Sequence, residues 1–275
     1  MVIRICERHE KSEQLEKPEN PVFQRRNSNM YSVAAPHAKG KSAEDNIFAA
    51  NNRAIALAEK IGVENVVNAT VGSILDEDGS LVVLDVVKEA LNHLSPKEFC
   101  AYAPIQGYRA FLDDCIDQCF GESRPDGYID ACSTPGGTGV LHHVVHNYSE
   151  VGDEVLITDW HWGAYDSLID DNNRKVRTFS FLTKEGHFNK EAFAEAVNDV
   201  LSKQDQVVII LNGIANNPTG YCMSVAEWQS AVDVLKDAVK DGDKKAILIP
   251  DVAYLDYSGE KQECRKFFKV FGGLP

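Results

Sequence analysis

The sequence has no apolar run long enough to cross a membrane and no cluster of basic residues. A membrane helix needs about 20 consecutive apolar residues, and no stretch approaches that length. The N-terminus also lacks the apolar segment of a signal peptide. The 275-residue chain has 28 Lys and Arg against 42 Asp and Glu, a formal net charge of −14, which argues against binding to nucleic acid. We expect a soluble, cytoplasmic globular protein with no membrane partner.

Cysteine occurs in no paired pattern. The seven cysteines are an odd number without a Cys-x-x-Cys pair, so neither a zinc site nor a disulfide framework is indicated. Nothing in the sequence around Cys222 activates its thiol. His142 and His146 are one helical turn apart, but the glutamate of a His-Glu-x-x-His metalloprotease motif is absent. A packed or solvent-facing helix surface is the better interpretation. The acidic stretch 76–79 lacks EF-hand spacing and predicts a solvated turn.

The predicted elements alternate as in an α/β fold. Residues 1–43 are polar and predict an irregular extension, and residues 44–65 carry an N-terminal helix. The predicted strands are 128–132, 154–158, 176–181, 207–211 and 246–249, and the further predicted helices are 81–94, 107–120, 139–148, 164–170, 190–201 and 224–239. This alternation indicates βαβ units, a mostly parallel sheet and helices on both faces. The fold class is therefore a three-layer α/β/α sandwich.

A polar turn follows the predicted strand 207–211. Its residues are Asn216, Asn217, Pro218, Thr219 and Gly220. Open α/β sheets bind their ligands at the carboxyl ends of the strands, so an amide side chain at this point is a candidate ligand-binding group. An ordinary strand-to-helix loop has the same composition, and the turn alone does not decide between the two.

Three more predicted strands are followed by residues that could bind a ligand. The glycine-rich stretch 133–139 opens into a helix whose bare N–H groups suit a phosphate, although a connection without a ligand has the same pattern. Trp162 follows the strand 154–158 and can cover a flat ligand, or pack in the core. Asp251 follows the strand 246–249. It can cap a helix, bind a metal or pair with a cationic ring nitrogen.

In this order, these pieces resemble a known family. They are Gly136-Gly137-Thr138-Gly139, Trp162, Asn217-Pro218-Thr219-Gly220 and Asp251-Val252-Ala253-Tyr254. The combination resembles the fold type I enzymes that use pyridoxal 5'-phosphate (PLP), and within them the class I/II aminotransferases. The resemblance implies that residues 66–275 form most of the PLP-binding large domain and that 44–65 belong to the small domain or a dimer arm. The family often has a cis bond before the proline, here Asn217–Pro218.

The resemblance also implies roles for the residues that bind the cofactor. The amides of Gly137 and Thr138 would hold the cofactor phosphate, and Trp162 would stack on the pyridine ring. Asn217 and the hydroxyl of Tyr254 would form hydrogen bonds with the phenolic oxygen of that ring.

Three further residues take roles from the same resemblance. Asp251 would pair with the pyridine nitrogen and keep it protonated, which makes the ring an electron sink. Gly72 would approach the substrate carboxylate. Tyr102 would reach the phosphate of the neighbouring subunit, which implies a homodimer, although a plain surface or core tyrosine is the alternative.

The lysine that bonds to the cofactor in this family has no counterpart at a matching position. The family has it in a Ser-x-x-Lys segment well beyond the Asp-x-Ala-Tyr motif, and the chain ends at Pro275. Ser258–Lys261 has the right spacing but lies in a charged loop, which predicts a solvated lysine. We therefore expect a truncated large domain, no C-terminal small domain, no catalytic residue and no transamination by this chain.

Two classes of function remain in view. The first is amino transfer from an amino acid to a 2-oxo acid, with aromatic or dicarboxylic amino acids as the common substrates of the family, or a related carbon–sulfur lyase or synthase. The second is a non-catalytic remnant that binds PLP or a partner subunit. A nucleotide-binding domain is disfavoured because no Gly-x-Gly-x-x-Gly follows a strand.

Overall fold

The computed structural model describes residues 35–36, 46–272 and 274. Its contacts divide the chain into two compact units that meet at Cys100 and Ala101. The boundary predicted at residue 66 therefore falls inside the first unit. Apart from residues 35 and 36, the predicted extension 1–43 lies outside the described residues.

The described part of the first unit contains helices and no strand. Its helices are α1 (Asn46–Ile61), α2 (Asp85–His93) and α3 (Pro96–Cys100), with a 3-10 helix at Val63–Asn65. A capping box opens α3, because Ser95 and Glu98 exchange hydrogen bonds between side chain and backbone. The segment after residue 65 starts extended at Val66, but it joins no sheet within the described residues. Its buried Thr70 donates to the Asn51 side chain at 3.1 Å.

The second unit contains the α/β part of the chain. Its helices are α4 (Arg109–Phe120), α5 (Gly136–Tyr148), α6 (Ala164–Asp171), α7 (Lys190–Leu201) and α8 (Val225–Ala238), and its strands are β1 (Glu154–Thr158), β2 (Lys175–Phe179), β3 (Gln206–Leu211) and β4 (Lys245–Pro250). Short 3-10 helices lie at Gly121–Ser123, Leu255–Tyr257 and Glu263–Phe271. Strand and helix alternate from α5 to β4, as the periodicity predicts.

The four strands form one parallel sheet in the order β2-β1-β3-β4. In register, Leu156 of β1 lies beside Ile209 of β3, which lies beside Leu248 of β4. The central strand β3 is buried on both faces from Val207 to Leu211. A strand covered on both faces has no polar alternation, which is why its sequence is a continuous apolar run.

Helices cover both faces of the sheet and confirm the three-layer architecture. On one face α5 and α6 pack against alternate residues of β1 and β3; the buried residues there are Leu141, Val145, Val155, Ile157, Tyr165, Ile169, Val208 and Ile210. On the other face α7, α8 and the helix 263–271 pack against the remaining strand residues, among them Leu156, Ile209 and Leu211. Because side chains alternate along a strand, neighbouring residues of β3 enter different layers.

The prediction of a strand at residues 128–132 is wrong. These residues have no regular secondary structure, and Tyr128 is 94% exposed. The stretch is held instead by the ion pair of Asp130 with Arg109 of α4 (2.8 Å) and by a hydrogen bond from Ser133 N to Gln106 O (2.7 Å). A strand requires a neighbouring strand to satisfy its backbone groups, and none lies beside these residues in the described part of the chain.

The strand β4 pairs with β3 alone within the described residues. From Ala246 to Pro250 it is only half-buried, whereas β3 is buried. On the face covered by α8, a cavity of about 700 Å³ opens beside Ala246 and Leu248; its other apolar walls include Phe120, Val232, Leu235, Val239, Phe268 and Phe271.

Two further findings concern disulfide bonds and membrane-spanning helices. Every described cysteine is a free thiol; these are Cys100, Cys115, Cys119, Cys132, Cys222 and Cys264. Among residues 46–272, no helix combines the length and apolar character that a bilayer crossing requires.

Candidate functional site

A network of buried amides shapes the turn after β3. Asn216 is 1% exposed, and its side chain donates to Asn212 O and Trp160 O while its Oδ1 accepts from the Thr219 backbone and hydroxyl. Gly220 closes the turn with φ 73°, a conformation that glycine adopts without strain. The Asn217–Pro218 bond is cis, as the resemblance indicates. The hydrogen bonds of Asn216 therefore tie the turn to the end of β3 and to Trp160.

Asp251 stands at the carboxyl end of β4, directly beside that turn. Its backbone N–H donates to Leu211 O of β3 at 3.1 Å, and its carbonyl accepts from the Asn212 side chain at 2.9 Å. The side chain is half-buried, and its Oδ1 accepts from Ala253 N at 3.0 Å. The carboxylate is thus held on the edge of the sheet where open α/β folds bind ligands.

Asn217 and Tyr254 meet across the same edge. The Asn217 side-chain amide donates to the Tyr254 hydroxyl at 3.3 Å, although the residues are 37 positions apart in the chain. The Asn217 backbone N–H donates to Asn212 Oδ1 at 2.7 Å, which anchors the residue to the end of β3. Two neutral hydrogen-bonding groups therefore lie side by side near Asp251.

The first turn of α5 leaves backbone donors free. Helix starts carry unpaired N–H groups and a partial positive charge, and no side chain caps this one. Gly136 N and Gly139 N bond to Thr134 O and Pro135 O. Within the described residues, the amides of Gly137 and Thr138 have no such partner. These two N–H groups are available to an anion.

These groups line one cavity of about 440 Å³, which is within the range of small-molecule sites. Six of the seven residues assigned to the cofactor contribute to its wall: Gly137, Thr138, Trp162, Asn217, Asp251 and Tyr254. The pattern of strand ends thus brings together residues that are far apart in the sequence.

Two of the predicted site residues lie elsewhere. Tyr102 belongs to the second unit but is fully exposed (103%) and does not line this cavity. Gly72 lies in a bend of the first unit, with open space where a Cβ would stand.

Tyr165 and Asn212 have no predicted role from the sequence, and Asn216 is predicted only as a member of the polar turn. Tyr165 of α6 lines the cavity, is 1% exposed and donates its hydroxyl to Asp251 Oδ2 at 2.5 Å. Its burial and the charge of Asp251, together with that hydrogen bond, raise the pKa of Tyr165 far above its ordinary value. Asn212 and Asn216 were detectable as polar residues next to an apolar strand, but Tyr165 carries no motif.

Two other candidates take no part in this cavity. Lys261 is exposed and donates to the Gln118 side chain at 2.9 Å, in agreement with a solvated lysine, and no lysine lines the described walls of the site. His142 and His146 stack with their ring centroids 6.2 Å apart, and His142 also contacts the Asn172 side chain. No cluster of three metal-ligating residues occurs among the described residues.

The site thus belongs to an α/β protein with an anion-binding helix start and a carboxylate at neighbouring strand ends. A family model described as aminotransferase class I and II matches residues 64–270. That range covers both motifs after β3 and β4 and the start of α5. The chain belongs to the class I and II aminotransferase family.

Individual relatives agree with this assignment. The mitochondrial aspartate aminotransferase of Arabidopsis thaliana is 25% identical over 74% of this chain and 47% of its own length. The crystal structure of an aminotransferase from Anaerococcus prevotii is 36% identical, with a TM-score of 0.85 over 89% of this chain and 60% of that one. An aromatic-amino-acid aminotransferase from Burkholderia pseudomallei, covalently bound to pyridoxal phosphate, shares the fold (20% identical, TM-score 0.63, 86% of this chain and 58% of that one). The chain spans about half the length of the curated relative.

Proposed function

We propose that this chain carries the cofactor site of a PLP-dependent aminotransferase. The whole protein would move an amino group from an amino acid to a 2-oxo acid. The observation that carries the proposal is the cavity at the carboxyl ends of β3 and β4, where an ionisable carboxylate, an amide–phenol pair, a tryptophan and two free N–H groups converge. Membership of the aminotransferase family supports the same activity.

The phosphate end of the cofactor fits the start of α5. The free amides of Gly137 and Thr138 would donate to phosphate oxygens, and the helix dipole adds a favourable charge interaction. Space for the phosphate is open at Gly137, since a Cβ added there would meet nothing within 4 Å. The aminotransferase from Burkholderia pseudomallei, whose structure holds pyridoxal phosphate, supports the choice of ligand.

The ring end of the cofactor fits the groups beside β4. Trp162 would cover one face of the pyridine ring, and Asn217 and Tyr254 would hold its phenolic oxygen. Asp251 would keep a proton on the ring nitrogen, because a carboxylate favours the charged form of a base that it contacts. When bound, the cofactor supplies an electron sink for the carbanion formed at the substrate α-carbon.

We propose that the 275-residue chain by itself binds PLP without transferring amino groups. The walls of the cavity contain no lysine among the described residues, and Lys261 is occupied with Gln118. A covalent attachment point and a proton shuttle are therefore not available from the residues beside the ring. Treatment with PLP and borohydride, followed by peptide mapping, should find no single lysine labelled stoichiometrically. One such lysine would contradict the proposal.

We propose further that the active enzyme is a cytoplasmic homodimer in which Tyr102 reaches the phosphate of the neighbouring subunit. Its complete exposure leaves the phenol free for such a contact. Gly72 would lie near the substrate carboxylate. Sedimentation of the chain with and without PLP tests the assembly, and a monomer under both conditions would count against it.

Binding of pyridoxamine 5'-phosphate tests the cofactor assignment directly. This amine form cannot react with surface lysines, so calorimetry reports the site alone. We expect Asp251→Asn to weaken binding about tenfold or more, because it removes a charge-assisted hydrogen bond worth about 1.5–3 kcal/mol. Asp243→Asn removes the same charge at an exposed position two residues before β4 begins and should bind as the wild type does. No binding to the wild type, or equal loss in both variants, would overturn the assignment.

A further inference from the structure

The carboxylate of Asp251 is held from two sides. Its Oδ1 accepts from the backbone N–H of Ala253 at 3.0 Å, and its Oδ2 accepts from the hydroxyl of Tyr165 at 2.5 Å. A carboxylate can accept up to about four hydrogen bonds, so each oxygen keeps capacity for a ligand in the cavity. The two bonds together fix the plane of a side chain that is only half-buried and would otherwise rotate.

Tyr165 is itself a rigid support. It lies in α6 with 1% of its surface exposed, among the buried residues between that helix and the sheet. Its backbone N–H donates to Trp162 O at 2.9 Å, and the Trp162 ring meets its ring edge-on at 5.9 Å. The His161 ring stacks on it at 6.2 Å. The phenol therefore reaches Asp251 from a position that packing determines.

The hydroxyl of Tyr165 remains a donor throughout the physiological range. Burial and the negative charge of Asp251 both oppose ionisation of the phenol and raise its pKa. The bond from this hydroxyl therefore holds Oδ2 of Asp251 in one direction at the wall of the cavity.

We propose that Tyr165 is a positioning residue that holds the Asp251 carboxylate aimed at the ring nitrogen of the cofactor. The inference rests on the proposed function, because it assigns Asp251 to that nitrogen. If Tyr165 has this role, it raises the affinity for a ring with a basic nitrogen over that for a ring without one. Tyr165 does so only through its bond to Asp251.

A pair of ligands separates this role from a purely structural one. Pyridoxamine 5'-phosphate has the ring nitrogen, and its analogue with a carbon in that position has the same shape and phosphate. Calorimetry with both ligands is carried out on the wild-type chain, on Tyr165→Phe and on the control Tyr221→Phe. The control removes a similar bond, from the Tyr221 hydroxyl to Glu227 at 2.6 Å, outside the walls of the cavity.

We expect the wild type to bind the nitrogen-containing ligand more tightly than the analogue. Tyr165→Phe should lose about tenfold in affinity for that ligand and change little for the analogue, because a hydrogen bond to a charged group is removed while the ring is kept. Tyr221→Phe should retain the wild-type preference. Equal loss for both ligands in Tyr165→Phe, or an unchanged preference, would overturn the inference while leaving the cofactor assignment intact. Failure of the wild type to bind either ligand would overturn both.

A measurement on the wild type alone covers the case in which Tyr165→Phe does not fold. A buried hydroxyl that donates to a carboxylate should give a slowly exchanging, downfield proton resonance. The nitrogen-containing ligand should shift this resonance and the analogue should not, because only the former engages Asp251. The same shift with both ligands would contradict the proposed role.

Discussion

Gly139 must be glycine for a steric reason that its neighbour Gly137 does not share. A Cβ added to Gly139 would lie 2.7 Å from Cδ of Pro135, closer than real Cβ contacts, whereas one added to Gly137 would meet nothing within 4 Å. The proline ring is part of the backbone turn and cannot rotate away as a long side chain does. The glycines of this motif thus have different functions: one allows close packing and the other leaves a ligand site open.

This difference predicts opposite effects of two alanine substitutions. We expect Gly139→Ala to lower the free energy of unfolding by about 1–3 kcal/mol, because overpacking forces the start of α5 to shift. Gly137→Ala should be neutral or slightly stabilising, because alanine is favoured in helices. Urea denaturation measures the free energy of unfolding of the two variants. Equal values would contradict the steric explanation.

The residues of the cavity differ in how far the sequence reveals them. Trp162, Asn217 and Asp251 lie just beyond apolar runs, so the rule that ligands bind at strand ends is enough to place them on one edge of the sheet. Tyr165 has no such signal. Its place in α6 looks like any buried helical position, and its partner Asp251 is 86 residues away. Packing of a helix on a sheet creates that contact, and no local pattern encodes it.

At the scale of elements, the carboxylate of Glu227 connects α8 to two other segments. It completes the capping box at Ser224, accepting from the Ser224 backbone and hydroxyl. It also accepts from the Tyr221 hydroxyl at 2.6 Å and from Phe188 N, ahead of α7, at 2.8 Å. Burial by itself would raise the pKa of Glu227, but these hydrogen bonds outweigh it and lower the pKa below 4.5.

The lowered pKa predicts a loss of stability in acid. A carboxyl group whose pKa is depressed in the folded state stabilises that state above its unfolded pKa, and the stabilisation disappears as the pH falls through the folded value. We expect Glu227→Gln to cost about 1–2 kcal/mol at pH 7. The difference from the wild type should shrink below about pH 4.5.

Urea denaturation of both proteins between pH 7 and pH 3 measures this effect. Glu195→Gln, at an exposed position of the neighbouring helix α7, serves as the control. A constant difference between wild type and Glu227→Gln across this range would contradict the assignment of the shift to Glu227.

At the scale of the whole molecule, the second unit has an apolar sheet edge that the described residues do not cover. In the part of the chain that the structure describes, strand β4 bonds to β3 alone, and the cavity of about 700 Å³ exposes the apolar side chains beside it. Exposed apolar edge strands favour association between chains. The opposite edge strand, β2, differs because the charged residues Lys175 and Arg177 interrupt it.

We therefore expect the folded chain to bind a hydrophobic dye on the β4 side and to associate as its concentration rises. Leu248→Lys should reduce both effects, because a charge on an edge strand opposes further pairing. Val176→Lys places the same charge on β2 and should change them less. Dye fluorescence and light scattering are the measurements. Equal effects of the two substitutions would show that the β4 edge is not the site responsible.

By itself, the sequence determined the types of most elements, their order and the parallel sheet with helices on both faces. These follow from local periodicity, from caps such as Ser224 and from the residues at strand ends. Tertiary structure alone decided that residues 128–132 pair with no strand of the described chain and that Tyr165 bonds to Asp251. Both outcomes depend on which distant residues lie beside these groups. A segment forms a strand only when a neighbouring strand satisfies its backbone groups, and the Tyr165 hydroxyl can donate only to an acceptor that packing brings within reach.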